Sequence, residues 1–170
     1  MLQPHRAAVQ RLAEVPGLGP DSAQQIIAEI GPTAATFPSE KQLASWVGVC
    51  PGQQESAGVS QSSRSPKGNQ AMRRILNQAA HAAVKVKGSI FEVKFQALKR
   101  GRSYKEAIWA IAHRLCRLIW KILHQGVTYE ERGPAVTKAR AQRRAAKMIR
   151  ELRNLGYRVE LVPSQAGSPA

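Results

Sequence analysis

Five serines stand close together at Ser56, Ser60, Ser62, Ser63 and Ser65, and Lys67, Gly68, Asn69, Arg73 and Arg74 follow them directly. A hydroxyl-rich loop facing the basic opening of a helix suits an oxyanion ligand such as a phosphate. The same residues also read as a solvated loop between two core helices, and the rest of the chain has to weigh the two. A serine hydroxyl is a weak nucleophile until it is deprotonated or polarised. No Ser-His-Asp arrangement is legible, because Asp21 is the only aspartate in the chain. Lys67, Arg73 and Arg74 are candidates to neutralise a phosphate or to position a strand.

The 170 residues carry 26 Lys and Arg against 11 Asp and Glu, a formal net charge of +15. Residues 1–56 hold 3 basic and 5 acidic side chains, residues 57–125 hold 14 and 2, and residues 126–170 hold 9 and 4. The positive field therefore begins just past Ser56. Such an asymmetry points to a polyanion, most simply nucleic acid, with an anionic membrane surface as the weaker alternative. After Glu55 only six glutamates remain. A metal-dependent nuclease needs several carboxylates converging on magnesium, and this chain is not expected to build such a site by itself. No cofactor is expected on it.

Cys50 and Cys116 lie far apart, without metal-ligand spacing, in apolar contexts that predict buried thiols. His5, His81, His113 and His124 are scattered, with His113 and His124 spaced to share a helix face, and structural or surface roles are expected for them. The longest apolar runs are short and broken by charge, so neither a membrane span nor a signal peptide is expected, and a cytoplasmic location is.

Stepping along the chain, residues 2–14 read as an amphipathic helix carrying Leu2, Val9 and Leu12 on one face. Val15 to Gly31 follows the pattern of a helix-hairpin-helix: Gly17 and Gly19 at a turn with positive φ, Pro20 in the first helical turn, and a stripe of Ala23, Ile26, Ile27 and Ile30. Its glycine turn would offer backbone N–H groups to a phosphate; a plain helix–turn–helix connection remains the alternative. Ser39 and Gln42 predict a capped helix with Leu43, Trp46 and Val47 on its apolar face. The stretch 53–67 has no apolar periodicity, although Val59 among polar residues is compatible with a short ribbon. A helix is expected from Gly68-Asn69 to about Lys87, another from Ser89 to Gly101, and a third from Ser103, with Glu106 at its third position, to Gln125. Trp109 and Trp120 read as core or edge packing. Residues 135–155 predict a basic helix bearing Arg140, Arg143 and Arg144, which serves either as a solvated face or as a phosphate contact. Tyr157 to Val162 alternates like a strand, and 163–170 reads as a disordered tail.

The order VPGLGP, LASWVGVCPG, ESAG, KGNQAMRRIL and GRSYKEAIWAIAHRLCRLIWKIL resembles the C-terminal, serine-bearing domain of the IS one-ten / IS one-sixteen / IS nine-oh-two insertion-sequence transposases, over roughly residues 10–130. The resemblance implies a two-part enzyme. An N-terminal RuvC-like domain holds a carboxylate tetrad with magnesium, and the C-terminal domain supplies a serine that attacks DNA and forms a phosphoserine link. It also implies a structured guide RNA and a homo-oligomer in the full-length context. The family's serine falls on Ser56 in Glu55-Ser56-Ala57-Gly58. The acidic domain has no counterpart in these residues, so a truncated transposase, inert as an isolated chain, is expected.

The reading is therefore a mainly α protein: a helix-hairpin-helix at 15–31 within a transposase domain of residues 1–130, then a basic helix and short strand over 131–162, then the tail. Its expected role is DNA transposition by serine-dependent strand exchange. The first rival is a stand-alone nucleic-acid-binding module without catalysis, and the second is a structural assembly domain.

Overall fold

The structure, a computed structural model, describes residues 3–50, 54–56, 59–62, 66–131 and 138–159. The chain divides into two compact units, Met1–Pro134 and Ala135–Ala170. In the first, α1 (Gln3–Ala13), α2 (Pro20–Ile30) and α3 (Glu40–Val47) precede an antiparallel ribbon of β1 (Gln54–Ser56) and β2 (Val59–Ser62). Then come α4 (Gln70–Ala83), α5 (Ile90–Leu98) and α6 (Tyr104–Gln125). The second unit is built on α7 (Lys138–Asn154). The protein is mainly helical, as the periodicity requires.

The bundle is assembled around α6, which packs against α1, α3, α4 and α5. Ten of its 22 residues are buried, among them Ile111, Leu115, Cys116 and Ile119. Its start is fixed locally: Ser103 Oγ accepts from Glu106 N at 3.3 Å, and Glu106 Oε2 accepts from Ser103 N at 3.0 Å. This reciprocal box satisfies two helix-end donors. Ser39 caps α3 and Ser89 caps α5 through bonds to Gln42 N and Glu92 N. The facing surface of α4 is rich in alanine, with Ala79, Ala80 and Ala83 all buried, which lets neighbouring backbones approach closely.

Four expectations need correction. α4 stops at Ala83 rather than near Lys87: Ser89, at the start of α5, donates to the Ala83 carbonyl at 3.2 Å and the chain turns. Trp46 is 41% exposed and not core, because α3 buries the Leu43, Ala44 and Val47 side; Trp46 instead lies against Phe37, with ring centroids 5.1 Å apart. Only Gly17 of the hairpin pair has positive φ (88°), whereas Gly19 is extended at −102° as the N-cap of α2. Finally, Tyr157 to Val159 are not in a strand; the remainder of that expected strand, the tail 163–170, and Leu2 lie outside the described residues.

Cys116 is buried as expected, whereas Cys50 is only half-buried. Burial pushes Cys116 up to about 12, and burial also raises Cys50. Trp120 is buried, donates from Nε1 to the Phe37 carbonyl at 2.8 Å and stacks on His124.

Candidate nucleic-acid interface

The serine segment leaves and re-enters the bundle at one tight crossing. Gly48 ends α3 in the left-handed conformation (φ 74°, ψ 33°). A Cβ there would lie 2.7 Å from the Pro66 oxygen, and a Cβ on Gly68 would lie 2.2 Å from the Val47 oxygen. Both distances are below what any real side chain tolerates, so backbone passes directly over backbone and glycine is required on each side. Asn69 N donates to the Trp46 oxygen at 3.3 Å across the same crossing.

Arg73 holds this crossing together. Its Nη1 donates both to the Gly48 carbonyl and to the Pro66 carbonyl, the latter at 3.0 Å. The two carbonyls bracket the serine segment, one before it and one after it. The guanidinium also lies over the Trp109 ring, 4.5 Å from its centroid, a cation–π contact that ties the crossing to α6. Asn69 completes the arrangement: its Oδ1 accepts from Met72 N at 2.8 Å, capping α4, and its Nδ2 donates to Glu29 Oε2 on α2 at 2.9 Å. Arg73, expected to meet phosphate, is thus first a clamp on the base of the loop.

Between the two ends of the crossing, β1 and β2 pair in the order Gln54 with Ser62, Glu55 with Ser60 and Ser56 with Val59, with an irregularity between Gln54 and Glu55. Ser56 is the last paired residue of β1. Ser63 and Ser65 lie outside the described residues. Lys67 and Arg74, on the bundle side of the loop, are exposed. Arg140, Arg143 and Arg144 belong to α7, in the second unit.

The hairpin has a packing explanation. A Cβ on Gly17 would sit 2.3 Å from the Ala79 oxygen and 2.6 Å from Ala83 N. Gly17 therefore lets the α1–α2 turn press against the backbone of α4. Gly19 meets nothing within 4 Å.

A groove of about 510 Å³ opens between α4 and α6, with Ile108 in its lining. Asn77, His81, Tyr104, Lys105 and Trp109 line it with Arg73. These residues were missed as a group in the sequence, although Arg73, Asn77 and His81 recur every four positions and so share a helix side. Further along α6, Arg117 and Lys121 both meet Glu40, Lys121 Nζ at 3.4 Å from Oε2. Burial pushes the Glu40 carboxyl up, but the bonds and charges of Arg117 and Lys121 outweigh it and hold the group below its ordinary range. His113 is held below its ordinary value by burial and by Arg117 and Arg114. Among the described residues no three Asp, Glu, His or Cys side chains converge as a metal site, and no helix is long and apolar enough to cross a membrane.

With this geometry in place, comparison with known proteins identifies the family. The model of the transposase IS116/IS110/IS902 family matches residues 9–96, just over half of the chain, running from α1 into α5. The chain belongs to this family. It is 29% identical over 127 residues to a protein of Pseudomonas aeruginosa named "Probable family 20 transposase", covering 72% of this chain and 37% of that protein. It is 25% identical over 125 residues to the uncharacterised 43.6 kDa protein of insertion element IS110 from Streptomyces coelicolor, covering 73% and 31%. The chain thus spans about a third of the length of the curated relatives it matches.

Proposed function

We propose that this chain is the serine-bearing, DNA-binding part of a transposase, and that Ser56 is the nucleophile. The reading is supported above all by where Ser56 stands: last in the first strand of a ribbon whose base is held by Gly48, Gly68 and Arg73, just before the positive half of the chain begins. A nucleophile carried on a ribbon needs such a fixed base if it is to meet a phosphorus in line.

In the proposed step Ser56 Oγ forms a bond to the scissile phosphorus while the bond from phosphorus to one sugar oxygen breaks. The serine proton leaves with transfer to a base or water, and the departing sugar oxygen gains a proton. The phosphodiester is replaced by a phosphoserine diester, so attack by another sugar hydroxyl reverses the step and joins new ends without an external energy source. Lys67 and Arg74, both exposed, are the cations proposed to neutralise phosphate charge, with Arg73 as a positioning residue. The magnesium implied by the family resemblance finds no donor set among the described residues, so no step here is routed through it. The acidic groups of the reaction are proposed to come from another domain or chain, and a guide RNA and a homo-oligomer belong to that larger assembly.

The test mixes this chain with the acidic N-terminal portion of a family member and element-end DNA, then traps protein–DNA adducts under denaturing conditions. A covalent adduct mapping to Ser56 by mass spectrometry, lost in Ser56→Ala and retained in Ser60→Ala and Ser62→Ala, is the expected result. An adduct on another serine overturns the assignment. DNA binding unchanged by Ser56→Ala, with no adduct under any condition, leaves a binding module instead.

A further inference from the structure

We propose that the groove between α4 and α6 seats one unpaired nucleotide of a nucleic-acid strand passing the base of the serine loop. The inference rests on the reading that this chain handles nucleic acid, but not on the identity of the nucleophile.

The groove offers three kinds of contact that a nucleotide uses, and the first of them is closed to a base stacked in a duplex. The first is a stacking surface. Tyr104 is 47% exposed, yet it is already fixed in place. Its hydroxyl lies 3.2 Å from His81 Nδ1, and its ring meets Phe95 edge-on at 5.4 Å and 84°. An exposed aromatic whose rotamer is held in advance loses little entropy when a base stacks on it. The second is a hydrogen-bonding edge: Asn77, exposed on α4, carries an amide that both donates and accepts. The third is positive charge. Lys105 is exposed at the groove, Arg73 closes its end, and no carboxylate lines it.

A volume of about 510 Å³ falls in the range of small-ligand clefts, which fits one nucleotide better than a folded partner. The base must be unpaired and unstacked, because the faces of a duplex base are already covered by its neighbours. Continuity decides the strand's path: Arg73 lines the groove and also donates to Pro66, the residue that ends the serine segment. A nucleotide held here is therefore on a strand that passes the base of the serine segment.

The experiment uses the full 170-residue chain and short oligonucleotides carrying one 2-aminopurine, as single-stranded DNA, single-stranded RNA and duplex DNA. Single strands are expected to bind with quenching of the probe, and duplex without it. Tyr104→Ala should weaken single-strand binding about tenfold and remove the quenching, whereas Tyr104→Phe should keep it. Asn77→Ala and Lys105→Gln alter exposed side chains and so test the groove even if Tyr104→Ala fails to fold. Asn77→Ala should change the preference among bases, and Lys105→Gln should weaken binding with the quenching retained. A control outside the groove, Arg6→Ala in the cleft between α1 and α2, should leave the quenching as it is. Tighter binding of DNA or of RNA identifies which sugar the groove accepts, and either supports the proposal. Equal quenching by duplex, or quenching and base preference unchanged in Tyr104→Ala and Asn77→Ala, overturns it in favour of binding through phosphates alone. Ser56→Ala should bind and quench like the parent chain, so failure here and failure of the adduct assay are separable.

Discussion

Arg73 shows how much one side chain can do when its partners are carbonyls. Two hydrogen bonds from one guanidinium nitrogen reach the residues on either side of the serine segment, and the same group lies over Trp109. Lysine keeps the charge but lacks the planar fork that makes the ring contact and the paired bonds together. Arg73→Lys is therefore expected to destabilise the fold by about 1–3 kcal/mol, read as a lower thermal midpoint. In the reconstituted adduct assay it should lower the adduct yield more than it lowers DNA affinity. An equal fall in both would make Arg73 a phosphate contact rather than a positioning residue. The type and place of Arg73 at a helix start were legible in the sequence, but its partners were not: Gly48 lies 25 residues away, and no local pattern connects them.

At the scale of elements, α3 and α6 are joined by Glu40 with Arg117 and Lys121, next to the half-buried His113. Both groups make the fold weaker in acid, at different stages. His113 titrates below its ordinary value of 6.5 in the folded chain, so the unfolded chain takes up a proton first and stability falls as pH drops below about 6.5. Glu40 titrates below its ordinary value of 4.5; its contribution is complete above that pH and is lost as pH falls through the folded value. Thermal midpoints measured from pH 7.5 to pH 3.5 should fall in two stages. His113→Gln should flatten the first, and Glu40→Gln the second. At pH 7 the Glu40 change should cost about 0.5–1 kcal/mol, since Arg117 and Lys121 are substantially solvated. A midpoint that does not change across this range in the parent chain would contradict both assignments.

For the molecule as a whole, the excess charge of +15 sets how it meets nucleic acid. Binding through phosphates releases counterions, so the logarithm of the association constant should fall linearly with the logarithm of salt concentration. Arg74→Ala and Lys67→Ala should each reduce that slope by about 1. Tyr104→Ala should leave the slope unchanged while weakening binding of single strands. Fluorescence anisotropy at several salt concentrations distinguishes these cases, and a slope near zero in the parent chain would remove the electrostatic reading.

The sequence by itself determined the helices, their caps and the family. Apolar periodicity, the Ser39, Ser89 and Ser103 caps and the glycine stops are local signals, and α2 and α6 follow them closely. Ser56 was singled out by resemblance, and Lys67 and Arg74 by charge. Tertiary structure alone decided which of these groups meet. Gly17 looked like a phosphate turn, yet its missing Cβ makes room for the backbone of α4. Trp46 had the composition of a core residue, but α3 turns its other side inward. The crossing of Gly48 over Gly68, the clamp from Arg73 and the groove of Asn77, His81 and Tyr104 each join positions distant in sequence. Backbone proximity and side-chain packing create them; spacing marks only the α4 side of the groove, and nothing in the sequence marks its partner on α6.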